Sequence, residues 1–142
     1  MSIARKFLIA SHGSLASGIK SSLDIIVGPM GNIFLIEAYL NENKAIENDI
    51  NDILKNISND DELIIFTDIL GGSVTNQIAQ FVEKSNIHIV SGFSLPLIIE
   101  ILLSDTETPI ADVIETAIEN AKGQMAYVNK LIHSNKDNLK DD

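Results

Sequence analysis

Residues 62–73 read Glu62-Leu63-Ile64-Ile65-Phe66-Thr67-Asp68-Ile69-Leu70-Gly71-Gly72-Ser73, an apolar run that ends in an acid and a glycine pair. So short a run, bounded by turn residues, is the mark of a strand buried on both faces. An earlier stretch repeats the design: Ile3-Ala4-Arg5-Lys6-Phe7-Leu8-Ile9-Ala10-Ser11-His12-Gly13, with His12 in the place of Asp68. A histidine and an aspartate that close two buried strands can meet. The carboxylate then holds one ring nitrogen and leaves the other free as a nucleophile.

Outward from these two stretches, apolar runs alternate with amphipathic ones. The pattern predicts strands over 3–11, 32–40, 63–69 and 87–90. It predicts helices over 14–27, 43–57, 74–84, 95–103 and 109–121, with Gly123 capping the last. Ile78, Phe81 and Val82 are expected to face inward on the third helix, and Pro96 fits the first turn of the fourth. Gln124 to Ile132 alternates weakly and reads as a last strand, and the polar tail from Ser134 as frayed. Strands alternating with helices mean an α/β fold, doubly wound around a mostly parallel sheet. The common order for five such strands is 2-1-3-4-5, with the switch point between strands 1 and 3. His12 and Asp68 stand at those two carboxyl ends.

The chain has 142 residues, so one domain is expected, and 45% hydrophobic residues are enough for a full core. Aromatics are only 5%, so that core must be aliphatic. Ten basic against 20 acidic residues leave a net charge of −10, which argues against nucleic acid as a partner. With no cysteine, neither a disulfide framework nor a thiolate metal site is available. No secretory signal or membrane span is readable, and a cytoplasmic protein is expected.

Three strand-to-helix turns should converge: Ser11-His12-Gly13-Ser14, Asp68 to Ser73, and Ser91-Gly92-Phe93-Ser94-Leu95-Pro96. Each sets Gly and Ser before a helix, where unpaired N–H groups favour an anion. The expected division of labour follows. Asp68 accepts from His12 Nδ1–H, Nε2 attacks a phosphoryl group, and Gly71, Gly72 and Ser73 cradle its oxygens. Gly13, Ser14 and Ser94 support the loops. Taken singly, these residues have plainer explanations: His12 as a packed turn residue, Asp68 as an Asx turn, Gly71-Gly72 as an ordinary turn. Their meeting at one switch point is what favours chemistry. His88 reads as a core or edge residue, His133 as solvated, and Asp60-Asp61-Glu62 as a solvated turn.

Other chemistries fit less well. No further ligands accompany His12 and Asp68, so no metal is expected. Gly71-Gly72-Ser73-Val74-Thr75 is not a hydrolase elbow. A dinucleotide fingerprint is missing after the first strand, and no cofactor is expected. A receiver domain would need an acidic pair where Ser11-His12 stands.

The chain resembles the IIA component of the mannose family of the bacterial sugar phosphotransferase system. The likeness rests on Ser11-His12-Gly13, on Asp68-Ile69-Leu70-Gly71-Gly72-Ser73 with Asn76 following, and on Gly92-Phe93-Ser94-Leu95-Pro96 running on to Glu100. By element order it covers residues 1–132, leaving 133–142 as a tail. Val74 stands where the family usually has Pro, Leu70 where an aromatic is frequent, Ser94 where Asn is common and Leu97 where Met is common. The resemblance implies a relay: His12 takes a phosphoryl group from the histidine-containing phosphocarrier protein and passes it to a IIB component. IIC and IID membrane partners then engage indirectly, which would bring the chain to the membrane. It also implies a homodimer that exchanges an antiparallel last strand, here Gln124 to Leu131. Two other outputs stay open: a regulatory phospho-acceptor module, and the phosphotransfer subunit of a dihydroxyacetone kinase.

Overall fold

The computed structural model describes residues 4–40, 46–80 and 84–140, with side chains described up to residue 135. Four strands, β1 (Arg5–His12), β2 (Ile33–Ala38), β3 (Glu62–Thr67) and β4 (Ile87–Ser91), form one parallel sheet in the order β2-β1-β3-β4. The helices are α1 (Leu15–Ile26), α2 (Ile46–Leu54), α3 (Ser73–Ala79), α4 (Leu95–Leu102), α5 (Ile110–Lys122) and α6 (Val128–Lys140).

Alternate strand residues feed two cores. Phe7, Ile9, Ile64, Phe66 and Val90 pack beneath α1, α4 and α5. Leu8, Ala10, Ile36, Leu63, Ile65 and Ile87 pack beneath α2 and α3. The division follows from right-handed crossovers. The chain steps from β1 to β2 in one direction, then turns back to β3 and β4. Helix α1 therefore lies on one face, and α2 and α3 on the other. This reversal makes the expected switch point between β1 and β3.

A clamp pins the N-terminal end of β1. The Arg5 guanidinium donates to Ser104 Oγ at 3.2 Å, Asp105 O at 2.8 Å and Thr108 O at 2.5 Å, all in the α4–α5 connection.

The C-terminal expectation is corrected. Residues 124–127 form no strand, and Val128–Lys140 is helical where a strand and then a frayed tail were expected. Val128, Leu131 and Ile132 recur at i, i+3 and i+4, which suits a helix face better than an alternation. Every side chain from Lys122 to Asn135 is exposed. Phe81 and Val82, expected to point inward, lie outside the described residues, as do residues 43–45 of the expected second helix. Among the described residues no helix is long and apolar enough to cross a membrane.

Candidate functional site

The parallel register sets His12 beside Ala38 of β2 and Ala10 beside Thr67 of β3. The ends of β1, β2 and β3 therefore share one edge of the sheet. Beyond the ladder, Gly13 N–H donates to Ala38 O at 2.8 Å, so the β1 and β2 ends stay zipped past the last paired residues.

Asp68 follows β3 directly. One of its oxygens, Oδ2, accepts from the His12 backbone N–H at 2.8 Å and lies 2.9 Å from His12 Nδ1. The other, Oδ1, is buried and takes no hydrogen bond among the described residues. The Asp68 side chain is 8% exposed and that of His12 38%, so the carboxylate is sheltered and the ring open. Burial works to raise the Asp68 pKa. The bonds from the His12 backbone and imidazole, with the attraction of the ring, outweigh it and hold the carboxyl below its ordinary value. An ionised Asp68 selects the tautomer with the proton on Nδ1 and the lone pair on Nε2.

Ser73, the first residue of α3, lies with Oγ 3.2 Å from that Nε2. Its approach depends on the preceding glycines. Gly71 has φ +75°, the left-handed region that L side chains rarely adopt. At Gly72 a Cβ would come within 3.2 Å of Ile69 Cβ and Ile69 O. The turn is tied back by Gly72 N–H to Ile69 O at 3.2 Å, by Asn76 Nδ2 to Gly71 O at 3.3 Å, and by Thr75 Oγ1 to Ile69 O at 2.7 Å.

The expected supporting residues divide. Gly13 carries the bond to Ala38 and stands at the site. Ser14 precedes α1, makes no side-chain cap, and accepts from Gly18 N–H through its carbonyl. Ser94 caps α4, its Oγ accepting from Leu97 N–H at 3.3 Å, a helix-building role.

The expected three turns omitted the end of β2. Tyr39 stacks on the His12 ring, with centroids 5.5 Å apart and planes at 28°. Its hydroxyl lies 2.8 Å from Ser73 Oγ and accepts from Gln77 Nε2 at 3.3 Å. The signal was available in the strand order, because β2 borders β1 just as β3 does. Among the described residues no group of three or more His, Asp or Glu side chains is placed to hold a metal ion.

Known proteins share the sequence pattern and the fold of this chain. Residues 6–118 match the family model EIIA-man, described as PTS system fructose IIA component. The fructose-specific EIIA component of the PTS system of Bacillus subtilis (strain 168) is 23% identical over 141 residues, covering 95% of this chain and 97% of that protein. A Klebsiella pneumoniae crystal structure, of a candidate phosphoenolpyruvate-dependent sugar phosphotransferase system permease, superposes with a TM-score of 0.86 at 35% identity. That match covers 93% of this chain and 96% of the other. The PTS IIA protein associated with the fucose utilization operon of Streptococcus pneumoniae superposes at 0.71 with 26% identity, over 92% of this chain and 98% of that one. The mannose/sorbose-specific IIA subunit of Enterococcus faecalis shares the fold, at 0.75 and 19% identity over 87% of this chain and 94% of the other.

Proposed function

The chain belongs to the EIIA-man family of sugar phosphotransferase components, and from that premise we propose that His12 is its phosphoryl acceptor. The donor is the phosphorylated histidine-containing phosphocarrier protein, and the recipient is a IIB component. The observation that carries this reading is the single oxygen Asp68 Oδ2, which bonds both the backbone and Nδ1 of His12. It fixes ring orientation and tautomer together.

In the transfer, Nε2 forms an N–P bond as the donor's own P–N bond breaks, and the donor ring keeps the electron pair. The Nδ1 proton stays in its bond to Asp68. The ring gains positive charge, which the carboxylate beside it stabilises. Gly71, Gly72 and Ser73 form the oxygen-binding side, since Ser73 Oγ already lies beside Nε2. Passing the group to IIB reverses these steps. The reaction is positioning and charge stabilisation throughout, with no further cofactor.

The relatives' names give fructose, fucose and mannose/sorbose. That variety on one fold supports leaving the sugar to the IIC and IID membrane partners. The chain itself works in the cytoplasm and meets the membrane through that complex. It acts as a homodimer, a reading supported by the exposed apolar group Met125, Tyr127, Val128, Leu131 and Ile132.

The test is incubation with phosphoenolpyruvate, enzyme I and the phosphocarrier protein. One acid-labile phosphoryl group per chain is expected, absent in His12→Ala. A labelled His12→Ala protein would sink the assignment.

A further inference from the structure

We propose that Tyr39 is a positioning residue for phosphoryl transfer at His12, an inference that rests on His12 being the acceptor. Its backbone is the first reason. Tyr39 has φ +67°, alone among the described non-glycine residues in being positive. For a bulky side chain this is an unfavourable conformation, kept only where the surroundings impose it. Burial does not compensate, because Tyr39 is 62% exposed. What the conformation obtains is contact with the site: the stack on His12 and the bond to Ser73.

The second reason is the direction of the hydrogen bonds. With Nδ1–H held by Asp68, Nε2 has only a lone pair, so Ser73 Oγ–H must donate to it. Ser73 Oγ then accepts from the Tyr39 hydroxyl, which in turn accepts from Gln77 Nε2–H. Each group has one role, and the chain ends on the nucleophilic nitrogen. When Nε2 forms its N–P bond, the Ser73 hydroxyl keeps its proton and turns its hydrogen bond from Nε2 to an arriving phosphoryl oxygen. Tyr39 keeps Ser73 at that distance, and its ring keeps the imidazole from turning away. No proton leaves His12 in the step.

An exposed aromatic beside a phosphoryl site has a competing explanation, as a contact surface for the carrier proteins. The two separate in kinetics. Single-turnover transfer from the phosphorylated carrier protein is measured over a range of carrier concentrations for wild type, Tyr39→Phe, Tyr39→Leu and Tyr39→Gly. Tyr39→Phe keeps the stack and loses one hydrogen bond, so its maximal rate should fall about fivefold with half-saturation unchanged. Tyr39→Leu should fall further, and the gap between the two measures the stack. Tyr39→Gly relieves the backbone and should melt higher than wild type while transferring more slowly. An unchanged maximal rate in Tyr39→Phe and Tyr39→Leu overturns the proposal, whether or not half-saturation rises. A Tyr39→Gly protein whose rate rises with its stability also overturns it. If wild type accepts no phosphoryl group, the reading of His12 falls and this inference with it. Wild-type transfer with unaffected Tyr39 variants removes the Tyr39 role alone.

Discussion

Asp68 serves His12 through one oxygen and leaves the other bare. That asymmetry makes Asp68→Asn an informative change. The amide oxygen can occupy the Oδ2 position and keep both bonds, and the NH2 group takes the place of Oδ1, which has no hydrogen-bond partner among the described residues. Geometry is retained and charge is lost. Transfer should slow by about a hundredfold, the usual scale for one charge-stabilising group. Rapid-quench transfer measurements would check it, with circular dichroism confirming the fold. The pH dependence has a definite sign. The folded pKa of Asp68 is lowered from 3.8, so its contribution to stability is complete above the unfolded value and lost as pH falls through the lower folded one. Melting curves of wild type and Asp68→Asn should therefore converge only below about pH 4, and a fall in transfer rate above that pH does not come from Asp68. His12 and Asp68 were legible because each ends an apolar run. For Tyr39 the strand order gave the place, at the end of β2, but not the role, which depends on a backbone angle that nothing in its neighbours Ala38 and Leu40 announces.

At the scale of elements, the turn from β3 to α3 does the most for the site. Gly71→Ala puts a side chain at φ +75°, which should cost about 1–2 kcal/mol. Gly72→Ala meets Ile69 Cβ and the Ile69 carbonyl oxygen at 3.2 Å instead, so the turn backbone must give by a few tenths of an ångström, at a cost of about 1–3 kcal/mol. Urea denaturation would rank the two. Both should reduce transfer, because both move Ser73. The strands were readable for a physical reason: in a parallel sheet covered on both faces, each strand must be apolar at nearly every position. Helices α1 and α2 were readable from their single apolar faces, α4 from Pro96 in its first turn and α5 from Gly123 after its end. The segment after Gly123 was not, since Gln124 to Val128 alternates while Val128 to Ile132 already has helical spacing. Val74 shows how a departure from the family pattern is absorbed: it is fully buried among the residues beneath α2 and α3, away from the rim.

For the molecule as a whole, two cores on two faces of one sheet account for the stability, and α6 adds no buried side chain among those described. At concentrations where the full protein is monomeric, a chain ending at Gly123 should thus melt within a few degrees of it. If the exposed apolar group from Met125 to Ile132 is the homodimer contact, Leu131→Asp with Ile132→Asp should give monomers by sedimentation and leave the monomer folded. The sheet order also carries a consequence for synthesis. Strand β1 is made early, yet it lies inside the sheet, between β2 and β3. The partner of His12 is 56 residues downstream, and the groups that clamp Arg5 are about a hundred residues downstream. A nascent chain leaves the ribosome N-terminus first. His12, the proposed nucleophile, therefore emerges long before the carboxylate that holds its ring, and on that proposal no truncated translation product ending before Asp68 can compete for the phosphoryl donor as the finished protein does.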